Sequence, residues 1–162
     1  MNEPLALWEI LVRLGLAAAG GALIGLERQL QDKPAGLRTN ILVGLGSAGF
    51  ILAALVISEL PEAEGHQLRF DPTRVLQGIV GGIGFLGAGA IIQSRGNVHG
   101  ITTAAALWVV AAVGSACGLG LYKLAGAMAV ACLVVLYPLG YLESKWENDQ
   151  ETPPEQNGHE SP

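Results

Sequence analysis

The chain has 162 residues, of which 51% are hydrophobic and 14% charged, with a mean hydropathy of +0.44. A water-soluble domain is about 25% charged, so this chain lacks the polar surface it would need to cover itself in water. Net charge is −5, and the sequence holds no basic cluster of the kind that grips nucleic acid.

Segments Leu14–Leu26, Asn40–Ser58 and Leu124–Leu142 contain no Asp, Glu, Lys or Arg, and within 74–116 only Arg74 and Arg95 do. Apolar stretches of this length are read as helices, because backbone in lipid must satisfy its own hydrogen bonds. The first span is predicted from about Leu5 to Leu26, with Trp8 suited to the membrane interface. The first ten residues hold Glu3 and Glu9 and no base, unlike a secretory leader, so this segment is read as a mature span. Glu9 and Arg13 stand at i, i+4 spacing. They are placed to pair along one helix face, to extend toward the headgroups, or to reach a partner in another helix. The second span runs from about Leu37 to Ser58. The third opens on Asp71-Pro72-Thr73, an acid at the N-cap followed by proline in the first turn, and continues to Gln93. The fourth covers about Ile101 to Ala116, and the fifth about Leu121 to Leu142, with Pro138 marking a kink or an end.

The predicted fold is therefore all-α: a polytopic transmembrane helical bundle of about five spans over residues 1–142. Residues 143–162 form a second region. It carries Glu143, Glu147, Asp149, Glu151, Glu155 and Glu160 against one base, Lys145, and reads as an acidic disordered tail. Loop bases set the orientation. Placing Arg28, Lys33, Arg38, Arg95 and Lys145 in the cytoplasm leaves Arg69, Arg74 and Lys123 outside, which puts the N-terminus out and the C-terminus in.

Glycine is abundant in the third span, at Gly78, Gly81, Gly82, Gly84, Gly87 and Gly89. Gly82-Ile83-Gly84-Phe85-Leu86-Gly87 matches G-x-G-x-x-G, but it lies inside an apolar span and no acid stands in 102–110, so a dinucleotide site is rejected. Close helix packing is the preferred reading, through small-xxx-small pairs such as Gly78/Gly82, Gly84/Ala88, Gly21/Gly25 and Gly49/Ala53. On that reading the third helix is central, and bulk at Gly82 does more damage than bulk at Gly118. The alternative is a locally unwound segment that lines a path.

With this topology several polar residues meet at one end: Glu27 and Arg28, then Arg38, Thr39 and Asn40, then Arg95, Asn97, His99, Thr102 and Thr103. Thr102 is placed to cap its helix, and Asn97 with Gly96 and Gly100 suits a tight turn. Glu27, Arg28 and Arg38 are read as one ion-pair network. Catalytic constellations and metal-ligand spacings are lacking, so no enzyme, cofactor or metal site is expected. Cys117 and Cys132 read as buried free thiols.

Four linked stretches resemble the MgtC/SapB family: Gly25-Leu-Glu-Arg28, Lys33-Pro-Ala-Gly-Leu-Arg-Thr39, Gly81-Gly-Ile-Gly-Phe-Leu-Gly-Ala-Gly89 and Gly100-Ile-Thr-Thr-Ala-Ala-Ala-Leu-Trp108. The resemblance covers roughly residues 5 to 140. It implies a bacterial inner-membrane protein of about five spans, linked to growth at low magnesium and to survival of pathogens inside host cells. It also implies regulatory contacts with other membrane proteins, ATP synthase among them in some members. Longer members continue into a soluble cytoplasmic domain where this chain has its acidic tail. The motif residues that carry over are Glu27, Arg28, Arg38, Thr39, Asp71, Arg74, Asn97, Thr102 and Thr103. Two functions follow as expectations: a non-catalytic membrane regulator that binds partner proteins and copies of itself, or a small oligomeric ion transporter or channel.

Overall fold

The computed structural model describes residues 5–58, 71–94 and 97–150. Five helices appear in the expected order: α1 (Leu7–Leu30), α2 (Leu37–Ser58), α3 (Pro72–Ala90), α4 (Ile101–Gly118) and α5 (Tyr122–Gln150). α1, α2 and α4 are each long and apolar enough to cross a membrane; α5 is apolar over the shorter stretch Tyr122–Tyr137. The all-α expectation holds, with one addition. Between α3 and α4 the chain forms a short antiparallel hairpin, β1 (Ile92–Ser94) and β2 (Asn97–His99), with Ile92 opposite His99 and Ser94 opposite Asn97. α3 therefore stops at Ala90 and does not reach Gln93.

Gly100 makes the return from the hairpin possible. Its φ of 88° lies in the left-handed region, and a Cβ there would strike the carbonyl of Ala90. The helix then starts from Gly100 with no side-chain cap, so Thr102 does not have the capping role expected of it. At the start of α3 the sequence reading is borne out: Asp71 caps, its carboxylate accepting from the Thr73 N–H at 2.9 Å, with proline next in the chain. α5 stays helical through Pro138 and on to Gln150, past the boundary placed after Leu142. Residues 143–150 offer Glu, Lys and Gln, which favour helix, and no glycine or proline. The rest of the predicted tail, 151–162, and the connection between α2 and α3, 59–70, lie outside the described residues.

α4 is the helix around which the others gather; it packs against α1, α2, α3 and α5. The reason is a set of backbone contacts that only glycine permits. A Cβ on Gly114 would collide with the backbone of Gly44. One on Gly44 would meet the Ala17 carbonyl oxygen at 2.7 Å, and one on Gly20 the Val113 side chain at 2.8 Å. On Gly118 it would meet Ile51 Cβ at 2.8 Å and the Ala48 carbonyl oxygen at 2.9 Å. Around these contacts lie two apolar clusters, one with Ala17, Ala48, Val113 and Ala116, the other with Ile24, Ala106, Val110, Cys132 and Leu136. Both cysteines are buried free thiols.

The expectation that α3 is central is overturned. A Cβ on Gly78, Gly81, Gly82, Gly84 or Gly89 would meet nothing within 4 Å; only Gly87 touches a neighbour, Ala104 Cβ at 3.5 Å. α3 lies at the edge, against α4 and more loosely α2. Glycines on several faces do not require several neighbours, and within this chain the tight contacts belong to α1, α2 and α4.

The expected ranking of the two glycine variants is accordingly reversed. Gly118→Leu should lower detergent stability by at least the ~1–3 kcal/mol typical of overpacking, while Gly82→Leu should leave it nearly unchanged. Thermal unfolding of both variants in one detergent checks this.

A candidate functional site at one end of the bundle

α1 runs antiparallel to α2, with Gly25 against Leu37 and Asn40, and Ala17 against Gly44. α4 begins where α1 ends, since Gly114 meets Gly44, Gly118 meets Ala48, and Arg13 meets Gly118. The end of α1, the start of α2, the hairpin and the start of α4 therefore share one end. This brings Glu27, Arg28, Arg38, Thr39, Asn40, Thr102 and Thr103 together as expected. Asp71 and Arg74 open α3 at the opposite end and belong to no common site with them. Asn97 lies in β2 at the cluster's end, its side chain outside the described residues, as Arg95 is altogether.

The core of the site is one charged pair in the last turn of α1. Arg28 Nε donates to Glu27 Oε2 at 2.7 Å and Arg28 Nη2 to Glu27 Oε1 at 3.0 Å, a two-pronged contact. Gln31 completes it: its Nε2 donates to Glu27 Oε1, and its Oε1 accepts from Arg28 Nη2 at 3.3 Å. Arg28 is only 2% exposed and Glu27 9%. Among the described residues this is the one ion pair. Arg38 takes no part in it; it is exposed, on the second residue of α2. The expected network of Glu27, Arg28 and Arg38 is thus corrected to Glu27, Arg28 and Gln31. Arg28 bonds Glu27 and Gln31 on its own helix end and does not cross the turn.

Two amide side chains lock the α1–α2 turn. Gln29 Oε1 accepts the Leu37 N–H at 3.2 Å and so occupies one of the unpaired donors at the start of α2. Asn40 Nδ2 donates to the carbonyl oxygens of Ala35 and Gly36, the latter at 2.9 Å. These bonds hold a strained backbone. Asp32 and Ala35 have φ of 51° and 57°, left-handed values that cost a non-glycine residue roughly 1–2 kcal/mol. Asn40 is 1% exposed, and its Oδ1 is buried without a partner. Thr103 is buried beside this region at 3% exposure, whereas Thr102 and Thr39 are exposed.

At the other end Arg13 settles between its alternatives. Its Nη1 donates to the Gly118 carbonyl oxygen at 2.8 Å, so it reaches another helix rather than Glu9. A cation at the C-terminus of α4 meets the negative end of the helix dipole and one of its unpaired carbonyls. The Asp71 carboxyl is held below the usual aspartate range, first by the hydrogen bond from the Thr73 side chain.

Sequence reasoning left Gln31, Gln29 and Arg13 out of the site set. For Gln31 a signal existed, since it stands four residues after Glu27. For Gln29 and Arg13 the partners are distant in sequence and only packing reveals them. Among the described residues no group of three or more His, Cys, Asp and Glu side chains gathers.

The fold and this buried polar end define a polytopic helical membrane protein. Comparison with known proteins gives its family. The model of the MgtC family matches residues 14–145, and the chain belongs to that family. It is 43% identical over 131 residues to the putative magnesium transporter YhiD of Escherichia coli, covering 79% of this chain and 59% of that protein. It is 43% identical over 138 residues to protein MgtC of Salmonella typhimurium, covering 84% and 55%. It is 44% identical over 132 residues to protein MgtC of Brucella abortus, covering 79% and 52%. The chain thus spans somewhat more than half the length of these relatives. No solved structure matches it.

Two outcomes follow from the geometry. Glu27→Gln should destabilise the protein in detergent by about 3–5 kcal/mol, because it strands a buried guanidinium. Its effect should be strongly non-additive with Arg28→Gln and additive with Arg38→Gln, which a double-mutant cycle of melting temperatures resolves. Arg13→Met should cost about 1.5–3 kcal/mol, the range for a hydrogen bond to a charged group, and should speed amide exchange in the α4–α5 turn.

Proposed function

We propose that this chain is a non-catalytic bacterial inner-membrane regulator, acting in magnesium and ion homeostasis through contacts with other membrane proteins. The observation that carries the proposal is the closed interior. α1, α2 and α4 meet through glycine backbone, with Gly44 against Ala17 and Gly114 against Gly44, which leaves no room for a hydrated ion between them. Glu27 and Arg28 neutralise one another at one end, and Arg13 is held on the Gly118 carbonyl at the other. Such a body passes signals through its outer faces more readily than it passes ions. The outward glycines Gly81 and Gly84 of α3 offer backbone for close approach by a partner helix or a second copy. Family membership supports the link to magnesium.

The second reading is a small oligomeric ion transporter or channel. It is favoured by the name of the Escherichia coli relative, and by Asn40 Oδ1, a buried oxygen with no partner. In that case the path runs between copies.

The orientation that accompanies the proposal has the N-terminus outside and the C-terminus in the cytoplasm. It rests on loop bases, Lys33 and Arg38 among them.

Purified protein in liposomes should give no flux of magnesium or monovalent cations above protein-free vesicles. Crosslinking in native membranes should capture a specific membrane-protein partner, and that capture should fail on Glu27→Gln. Saturable magnesium flux would transfer the assignment to the transporter reading. Ser58→Cys should react with an impermeant maleimide applied from outside the cell.

A further inference from the structure

Between α2 and α3 runs an apolar groove of about 720 Å³. Thr39 and Leu86 stand at one end and Phe50 and Val75 at the other, so both helices line it over the same length. Its floor is deepened by Gly46, Gly78 and Gly82, at each of which a Cβ would meet nothing within 4 Å. From Thr39 to Phe50 α2 rises about 16 Å at ~1.5 Å per residue. That is about half of a ~30 Å hydrocarbon core, the depth of one leaflet.

At the Val75 mouth the charge of Arg74 is opposed by the nearby Asp71 carboxylate; the Thr39 mouth has no acid on its own helix. There Arg38 is exposed with no ion-pair partner among the described residues, next to the exposed hydroxyl of Thr39. Both belong to the first turn of α2. The Leu37 N–H goes to Gln29 and the Asn40 N–H to the Gly36 carbonyl, which leaves those of Arg38 and Thr39 without an acceptor among the described residues. A guanidinium and two free N–H groups at the positive end of a helix dipole are electrostatically under-satisfied. No acid of α2 compensates them, since the helix contains none.

We propose that this groove binds an anionic phospholipid. Its phosphate sits against Arg38, Thr39 and the start of α2, and one acyl chain lies along the groove toward Phe50. The ligand's form matches the site: a negative head at the Arg38 mouth, then an apolar chain one leaflet long. A second copy of the chain matches it less well. A two-fold contact through this groove with its axis along the membrane normal sets both copies' Arg38 at the same depth on one interface, where like charges repel. The inference does not depend on whether the protein regulates or transports.

Native mass spectrometry of the full chain in mild detergent, titrated with dioleoylphosphatidylglycerol or dioleoylphosphatidylcholine, tests it. The unmodified protein should retain one phosphatidylglycerol in preference to phosphatidylcholine. Arg38→Gln should reduce that preference roughly fivefold, the effect of one cation on an anionic lipid. Gly82→Leu fills the groove and should lose both lipids. Both variants should keep the melting temperature of the unmodified protein in lipid-free detergent, because neither position supports a contact. Equal retention of the two lipids by the unmodified protein would overturn the proposal, as would undiminished phosphatidylglycerol binding by either variant. A dimer that Gly82→Leu dissociates while bound lipid is unchanged would overturn it too, and would assign the groove to a second copy.

Discussion

The structure depends on the approach of three helix backbones to within contact distance. α1, α2 and α4 meet at Gly20, Gly21, Gly25, Gly44, Gly114 and Gly118, where any larger residue would overlap a neighbouring main chain or a packed side chain. In lipid the apolar surface gains little by leaving its surroundings, so association rests on dispersion between closely fitted atoms and on interhelical polar contacts. Glycine weakens a helix in isolation by about 1 kcal/mol relative to alanine. At these positions that cost is offset by contacts that a side chain would prevent.

The polar end of the bundle follows from the same approach. Because Gly25 lies directly on Leu37 and Asn40, the chain must turn between α1 and α2 within residues 31–36. Two residues enter the left-handed region to do it, and Asn40 and Gln29 supply the bonds that hold them there. Glu27 and Arg28 are buried at the same end. A buried pair of this kind contributes little net stability but is costly to break. Together with Gln31 it holds the last turn of α1 in one arrangement.

α3 stands apart from this logic. Its glycines other than Gly87 face outward or into grooves, on a helix that touches mainly α4. The glycine-rich segment therefore lies largely on the surface of the bundle, while the tight packing belongs to α1, α2 and α4.

The sequence by itself determined the five helices, the membrane as solvent, the Asp71-Pro72 start of α3, the gathering of polar motifs at one end, and the family. These depend on local composition, on spacing and on the order of four motifs, all visible along one dimension. Tertiary structure decided which glycines are tight, because two glycines with the same i, i+4 spacing differ only in whether another helix passes over them. It decided that Gln31 and not Arg38 joins Glu27 and Arg28, because burial of the last turn of α1 favours a partner on the same helix end. It decided that Arg13 serves the C-terminus of α4, a carbonyl 105 residues away that only the antiparallel packing of α1 on α4 brings within reach.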